Sequence, residues 1–586
     1  MGRITGMVVR LARTAGFCMG VRRAVDMVLD LARHKGKENI YTYGPLIHNP
    51  QTVELLRKRG IIPISRTEEM AACEPGATMI IRAHGISPLE RRKIKEKGLR
   101  IVDATCPKVA HVQAIIKKHA LSDHTILIVG DGDHPEVNGL LGYAEGRGIV
   151  IGSKEDVDAL PELRKVCVVA QTTQSLDEYE GIAARIRERY PDVVVFPTIC
   201  DSTEKRQAEV KDLAAAMDAL FIVGGKNSAN TRRLARLSER QGTPTFHIET
   251  ADDLKTLPLP YEKVGVSAGA STPNWIIDRV VNTIALRQNE KRRRWRGFFH
   301  LWTFAVRTDI YSALGAGCLA MAGTLLQNLG IRPINVAISS LYVFAMHTLN
   351  RFSNPKASSI IGTFREESYL RHEKPYVTIA LLALLTALVL AATLGIASFT
   401  LLFTISLLGI LYNARILPGG SRFQSLRDLP GSKNVSMALA WAVVAAVLPW
   451  IEADLPLTPS LIISFLFIFS LVFIRSAMSD MLDIQSDRFI GQETIPVLIG
   501  GQRTQTLLKV IAVLLALLLA VAHPAGWATS LSLALLVSLF YVWICFKLYD
   551  RRYPLSGVVL EGLLETVYIM AGIGTVLWIM VTRLVA

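Results

Sequence analysis

Three of the seven cysteines stand where a thiolate could act as a ligand. Cys18 lies in Gly-Phe-Cys-Met-Gly-Val, Cys106 in Asp-Ala-Thr-Cys-Pro-Lys-Val and Cys200 in Thr-Ile-Cys-Asp-Ser-Thr. Each follows a strand-like run, and they are 88 and 94 residues apart, about one α/β unit each. A cytosolic chain does not need disulfides. Three such thiolates could hold a zinc ion or three corners of a 4Fe–4S cubane. A cubane with three protein ligands keeps one iron open as a Lewis acid, unlike a carrier with four cysteines. No local Cys-x-x-Cys supports a metal, so spacing alone leaves ligand and plain thiol both open. The other four read as structure. Cys318 and Cys545 fall in apolar spans, Cys167 in the strand Val-Cys-Val-Val and Cys73 in a loop.

Imidazoles and a carboxyl add to the set. His48 is in Ile-His-Asn-Pro, His84 in Ala-His-Gly and His134 in Asp-His-Pro-Glu, followed by Glu136. Taken singly, each histidine reads as a turn cap. As a group beside Gly and Pro they suit an anionic substrate, because imidazolium, hydroxyl and amide donors bind diphosphate oxygens. Asn227-Ser228-Ala229-Asn230-Thr231 precedes the helical run Arg232–Gln241. That segment is either a plain helix cap or an anion site at a helix start.

The elements that must position these residues are short β-branched runs alternating with helical segments. Val8–Leu11, Thr78–Arg82, Thr125–Val129, Val166–Ala170, Ala219–Val223 and Val264–Ser267 are the clearest strands. Such alternation predicts α/β units with parallel sheets, whose ligands bind beyond the carboxyl ends of the strands. The candidate segments lie at those ends. Residues 1–299 hold 46 of the 65 Lys+Arg and 36 of the 50 Asp+Glu. The remaining 287 residues are too poor in charge to cover a soluble surface, so they read as membrane-embedded. A purely soluble enzyme, a secreted disulfide scaffold and a disordered chain are excluded.

About nine apolar spans follow: 309–329, 333–349, 376–395, 397–414, 434–451, 460–479, 506–524, 527–547 and 560–583. Each approaches the ~20 residues needed to cross a bilayer. Lys and Arg concentrate in alternate loops, with Arg351, Lys356, Arg365, Arg371 and Lys374 in the first of them. That bias predicts cytoplasmic even loops and a cytoplasmic amino-terminal half. Met1–Gly16 lacks the apolar core and cleavage site of a signal peptide. The net charge of +15 gathers where the chain meets the membrane, at Arg287, Lys291, Arg292, Arg293, Arg294 and Arg296. A basic run there sets topology or touches anionic lipid, and no aromatic-interleaved basic face points to nucleic acid.

The segments around Cys18, His48, His84, Cys106, His134–Glu136, Gln171–Thr173, Cys200, Lys226–Asn230 and Ala268–Ser271 resemble the LytB/IspH family of 4-hydroxy-3-methylbut-2-enyl diphosphate reductases. The likeness covers about residues 7–285, in order. It implies a three-lobed α/β domain over 1–285 around a central 4Fe–4S cluster, and the last step of the methylerythritol phosphate pathway. Cys18, Cys106 and Cys200 would ligate the cluster. His48, His84, Ser228, Asn230 and Ser271 would hold the diphosphate, with His134, Thr172, Thr203 and Glu136 around the allylic hydroxyl. Glu136 would supply the proton for C–O cleavage. The likeness also implies reduced ferredoxin or flavodoxin as electron donor. Ala229 departs from the pattern, standing where many members have a second serine.

Beyond a basic linker at 286–307, the all-α membrane domain at 308–586 has a likeness of its own. Asp480, Asp483 and Asp487, spaced by three and four, are expected on one helix face, where they repel unless a cation such as Mg²⁺ sits among them. The following Gly491-Gln-Glu-Thr494-Ile-Pro496 segment resembles the second signature of UbiA-type prenyltransferases. At the first signature, family members carry acids where this chain has Asn350, Asn354 and Ser358. The chain thus reads as a reductase tethered to a multi-pass domain of the cell inner membrane, with possible prenyl transfer. The alternative is a membrane-bound Fe–S electron-transfer or redox-sensing protein, which would need no diphosphate pocket.

Overall fold

In the computed structural model, residues 8–34, 39–64, 69–70, 73–74, 76–257, 260–289, 296–352, 373–414, 425–550 and 557–585 are described. The basic run Lys291–Arg294 and the first-signature residues Asn354 and Ser358 lie outside them, as do Lys356, Arg365 and Arg371. The chain divides into two compact units, Met1–Gln288 and Asn289–Ala586.

Among the described residues the first unit has twelve strands. They are β1 (Val8–Leu11), β2 (Ile40–Tyr43), β3 (Ile61–Ile64), β4 (Thr78–Ile81), β5 (Arg100–Asp103), β6 (Thr125–Val129), β7 (Gly148–Ile151), β8 (Val166–Ala170), β9 (Val194–Val195), β10 (Ala219–Val223), β11 (Thr245–Ile248) and β12 (Lys263–Ala268). They form three four-stranded sheets, ordered β1-β12-β10-β11, β3-β2-β4-β5 and β7-β6-β8-β9. Every pairing is parallel. Helices cover both faces of a parallel sheet, so its inner strands are buried throughout. All residues of β4, β8 and β10 are buried. Pro63, which cannot donate to a ladder, sits on the edge strand β3. The first sheet pairs the beginning of the unit with its end, Val9 opposite Val264.

The second unit is helical. Among the described residues, six of its helices are long and apolar enough to cross a membrane: Glu373–Leu394, Ser432–Glu452, Pro459–Leu482, Gly501–Ala522, Leu531–Asp550 and Gly557–Leu584. Leu301–Arg307 and Ile310–Leu326, bent by 82°, would make a seventh if they form one span. Among the described residues the expected nine spans are not confirmed. Ile396–Leu411 has only 16 residues, and Pro333–Phe352 carries Asn335, His347, Asn350 and Arg351 among its apolar side chains. At the bend, Asp309 is left-handed (φ 59°) and buried, and its carboxylate takes Arg351 Nη2 at 2.7 Å. Small residues let helices approach: a Cβ on Gly323 would lie 2.7 Å from the carbonyl oxygen of Ala445.

Candidate functional site

Each of the three cysteines stands at the amino end of a helix. Cys18 precedes Met19–His34, Cys106 caps Pro107–Ala120 and Cys200 caps Asp201–Ala216. The N–H of Val21 donates to Cys18 Sγ at 3.4 Å. At Cys106, burial pushes the thiol up, while the N–H groups of Lys108 and Val109 pull it back. The tethers repeat from lobe to lobe. The backbone N–H of Cys18 donates to Ala270 O (3.1 Å), that of Cys106 to Ala83 O (2.9 Å) and that of Cys200 to Thr172 O (2.9 Å). Those acceptors lie two residues beyond β12, β4 and β8, each an interior strand of its own sheet. Parallel topology therefore brings the thiols of three lobes to one centre.

One cavity is lined by these cysteines together with His48, His84, His134, Glu136, Thr172, Thr203, Ser228, Asn230 and Ser271. The imidazole centroids are 4.7 Å (His48–His84), 5.3 Å (His84–His134) and 5.7 Å (His48–His134) apart. Burial is the main reason all three titrate below the usual range. His134 is pushed down to about 3 by burial, with His48 and the Arg233 and Arg82 guanidiniums adding to it. All three are thus neutral near pH 7. The N–H of Glu136 donates to His134 Nδ1 (3.1 Å), which assigns the neutral ring's proton to Nε2. His48 Nε2, His84 Nδ1 and Asn230 Nδ2 are buried with no hydrogen-bond partner.

The hydroxyls around them have structural tasks too. Ser228 caps Ala229–Arg240, its Oγ accepting from Thr231 N–H at 3.4 Å, and Ser271 Oγ donates to the His48 carbonyl at 3.1 Å. Each keeps further hydrogen-bonding capacity toward the cavity. Glu136 is fully buried, and its carboxylate accepts from the N–H (2.7 Å) and the hydroxyl (3.0 Å) of Thr172. Burial pushes its carboxyl up, partly offset by Thr172 and Arg233. Two residues of the centre escape a reading of the sequence. Arg233 pairs with Asp131 at 2.7 Å, and Arg206 lines the cavity from the helix after Cys200. Both sit in polar helical runs that look solvated until the fold is known.

In the second unit the expected carboxylate face is interrupted. The helix ends at Leu482, Asp483 is its cap, and a new helix runs Ile484–Ile490. Asp480 and Asp487 are buried while Asp483 is exposed. Both oxygens of Asp480 are engaged, by Lys433 Nζ (2.6 Å) and Asn434 Nδ2 (2.8 Å). Asp487 Oδ2 accepts from Thr494 Oγ1 at 3.0 Å. Asn350 Oδ1 accepts from Asn413 Nδ2 at 3.2 Å. Among the described residues, only His48, His84 and His134 gather closely enough to share an ion.

Comparison with known proteins bears on both units. The family described as LytB protein matches residues 9–285, and the UbiA prenyltransferase family matches residues 372–558. Over 283 residues the chain is 44% identical to the 4-hydroxy-3-methylbut-2-enyl diphosphate reductase of Opitutus terrae, covering 47% of this chain and 98% of that protein. The reductase of Geobacter sulfurreducens is 42% identical over 287 residues, covering 49% and 100%. A solved structure of the E-1-hydroxy-2-methyl-but-2-enyl-4-diphosphate reductase from Plasmodium falciparum gives a TM-score of 0.45 at 29% identity, covering 47% of this chain and 87% of that one. A UbiA homolog from Archaeoglobus fulgidus bound to GPP and Mg²⁺ gives 0.35 at 14% identity, covering 47% and 98%.

Proposed function

The chain belongs to the LytB family of 4-hydroxy-3-methylbut-2-enyl diphosphate reductases, and from that premise we propose how its residues work. The amino-terminal unit reductively dehydroxylates (E)-4-hydroxy-3-methylbut-2-enyl diphosphate to isopentenyl and dimethylallyl diphosphates, the last step of the methylerythritol phosphate pathway. The observation that carries this reading is the convergence of three cysteines, three histidines and Glu136 on one cavity. An electron carrier would leave the histidines, Asn230 and Glu136 without a task.

The donor set fits a 4Fe–4S cluster. Three thiols, each at a helix start and each from a different lobe, leave one iron without a cysteine. When bound, the cluster would supply electrons singly and a Lewis-acidic iron. The chain's own residues do the rest. His48, His84, Ser228, Asn230 and Ser271 bind the diphosphate, whose oxygens satisfy the buried His48 Nε2, His84 Nδ1 and Asn230 Nδ2. The anion draws protons onto imidazoles that are neutral in its absence. His134, Thr172 and Thr203 orient the hydroxyl end. Glu136, held as an acid by burial, carries the proton that leaves with the hydroxyl oxygen as water, and Thr172 fixes its carboxyl. Two electrons, from reduced ferredoxin or flavodoxin, and two protons balance the reaction. The second proton reaches either end of the allylic fragment, which gives two products.

The reductase domain spans 1–285, joined by a basic segment at 286–307 to a UbiA-like domain at 308–586 in the cell inner membrane. Its loops rich in Lys and Arg, like the reductase, face the cytoplasm. The membrane domain binds a prenyl diphosphate with Mg²⁺ at Asp480, Asp483 and Asp487, more weakly than relatives with a full first signature. The test of the reductase reading is anaerobic purification of the full chain, with an iron count and a reductase assay. About four irons per chain and turnover of the hydroxylated diphosphate are expected. An iron-free or inactive protein after anaerobic reconstitution would overturn it.

A further inference from the structure

Arg206 is a buried cation whose hydrogen bonds go to neutral carbonyls. It is 2% exposed, on the helix Asp201–Ala216, and it forms no ion pair among the described residues. Its Nη1 donates to Ala268 O at 2.5 Å and its Nη2 to Gly16 O at 2.9 Å. Glu209, one turn on, is taken instead by Arg13 N–H (2.6 Å), Thr14 N–H (2.8 Å) and the Thr14 hydroxyl (2.7 Å). Two carbonyl dipoles do not compensate a desolvated guanidinium, and an uncompensated buried charge is costly. Burial lowers Arg206 to about 10, so it stays a cation at neutral pH. It lines the same cavity as Cys18, Cys106 and Cys200. The fold therefore holds a fixed positive charge at the rim of the thiolate centre.

Its two acceptors are placed to matter. Gly16 lies two residues before Cys18, and Ala268 lies two before Ala270, whose carbonyl takes the Cys18 N–H. One side chain thus ties the Cys200-bearing helix to both strands of backbone that aim Cys18. We propose that Arg206 is a positioning residue whose charge makes the cluster easier to reduce. Three thiolates on a [4Fe–4S]²⁺ core give a net charge of −1, and the single electron that forms [4Fe–4S]⁺ makes it −2. A neighbouring cation in a medium of low dielectric favours the second state more than the first. This rests on Cys18, Cys106 and Cys200 being the cluster ligands. An iron-free parent protein would fail that assignment, whereas the comparison below presupposes a loaded parent.

The test is a mediated potentiometric titration of the full-chain holoenzyme, followed by the electron-spin resonance of [4Fe–4S]⁺, for the parent, Arg206→Gln and Arg206→Lys. Loss of charge in Arg206→Gln should lower the reduction equilibrium constant at least tenfold, a shift of 59 mV to more negative potential. Arg206→Lys keeps the charge but cannot span both carbonyls, and should stay within about threefold of the parent. A loaded Arg206→Gln protein at the parent's potential overturns the proposal. Equal shifts in both variants overturn it too, leaving a mechanical clamp. If Arg206→Gln retains no cluster, Arg206→Lys decides. A loaded lysine variant at the parent's potential supports the countercharge, and one that is shifted tenfold or fails to load refutes it.

Discussion

Thr172 donates twice to Glu136, from its backbone N–H to one carboxylate oxygen and from its hydroxyl to the other. The pair fixes the carboxyl's orientation while burial pushes its ionisation to higher pH, two effects that oppose each other at this carboxyl. Glu136→Gln should therefore keep full iron content and bind the diphosphate, yet turn over ~10²–10⁴-fold more slowly. In the parent, the acid form is lost as pH rises through the raised carboxyl value, so kcat should fall on the alkaline side. Iron analysis, binding and steady-state rates from pH 6 to 9 check both statements. Activity of Glu136→Gln within a few-fold of the parent would remove Glu136 from the chemistry.

Diphosphate binding should take up protons. The imidazoles of His48, His84 and His134 are neutral near pH 7 because burial lowers them. A bound polyanion restores protonation, so the complex carries more protons than the free protein. By linkage, affinity is greatest at low pH and declines as pH rises, by up to about tenfold per unit for each proton taken up. Calorimetry with inorganic diphosphate, in two buffers of different ionisation enthalpy, reads that uptake directly. It should shrink in His48→Asn, whose imidazole is placed on the diphosphate. Identical uptake in parent and variant would exclude His48 as a proton acceptor.

The cluster assignment makes a steric prediction as well as a chemical one. Cys106→Ser should lose iron and activity, whereas Cys167, wholly inside the apolar β8, should be dispensable for both. Gly20 stands against Cys106: a Cβ there would lie 2.6 Å from Sγ and 3.1 Å from the cysteine Cβ. Gly20→Ala must displace either the Cys106 side chain or the helix start that carries residue 20, and should lower iron content or speed cluster loss. Iron content and the rate of cluster loss in air, measured on both variants, test the geometry. Full iron in Cys106→Ser would sink the ligand set.

Most interior strands were legible because a parallel sheet covered on both faces demands unbroken apolar runs, as in Val-Cys-Val-Val and Phe-Ile-Val. The interior strand Ile40–Tyr43, with Thr and two Tyr, was missed. Edge strands other than Val8–Leu11 were not legible. Ile61–Ile64 contains Pro63, Val194–Val195 has two residues, and Thr245–Ile248 alternates polar side chains. The cysteines and histidines were legible by type and by place beyond a strand. Arg206 was not, since its acceptors lie 62 and 190 residues away and its own segment reads as a charged surface helix. Spacing also placed Asp480, Asp483 and Asp487 on one helix face. The chain turns at Asp483 instead, because spacing cannot show where a helix stops.

That turn, and the lysine beside it, bear on the membrane unit. Asp480 is already neutralised by Lys433 and held by Asn434, and Asp483 is exposed, so the three carboxylates do not form a ready cage. Divalent affinity depends on ligand charge as well as number, and Asn350, Asn354 and Ser358 bring none. Prenyl transfer in membranes should therefore require more Mg²⁺ than charge-complete relatives need. Asn354→Asp, which restores one acid, should lower the Mg²⁺ concentration giving half-maximal transfer. Asp483→Ala should raise it or abolish transfer, since Asp483 makes no competing pair with Lys433. Radiolabelled prenyl transfer against Mg²⁺ concentration, for the parent and both variants, makes the comparison. A parent that transfers robustly, with neither variant moving its Mg²⁺ dependence, would place the cation elsewhere, and a parent that transfers nothing at any Mg²⁺ concentration would leave this unit without the transferase activity.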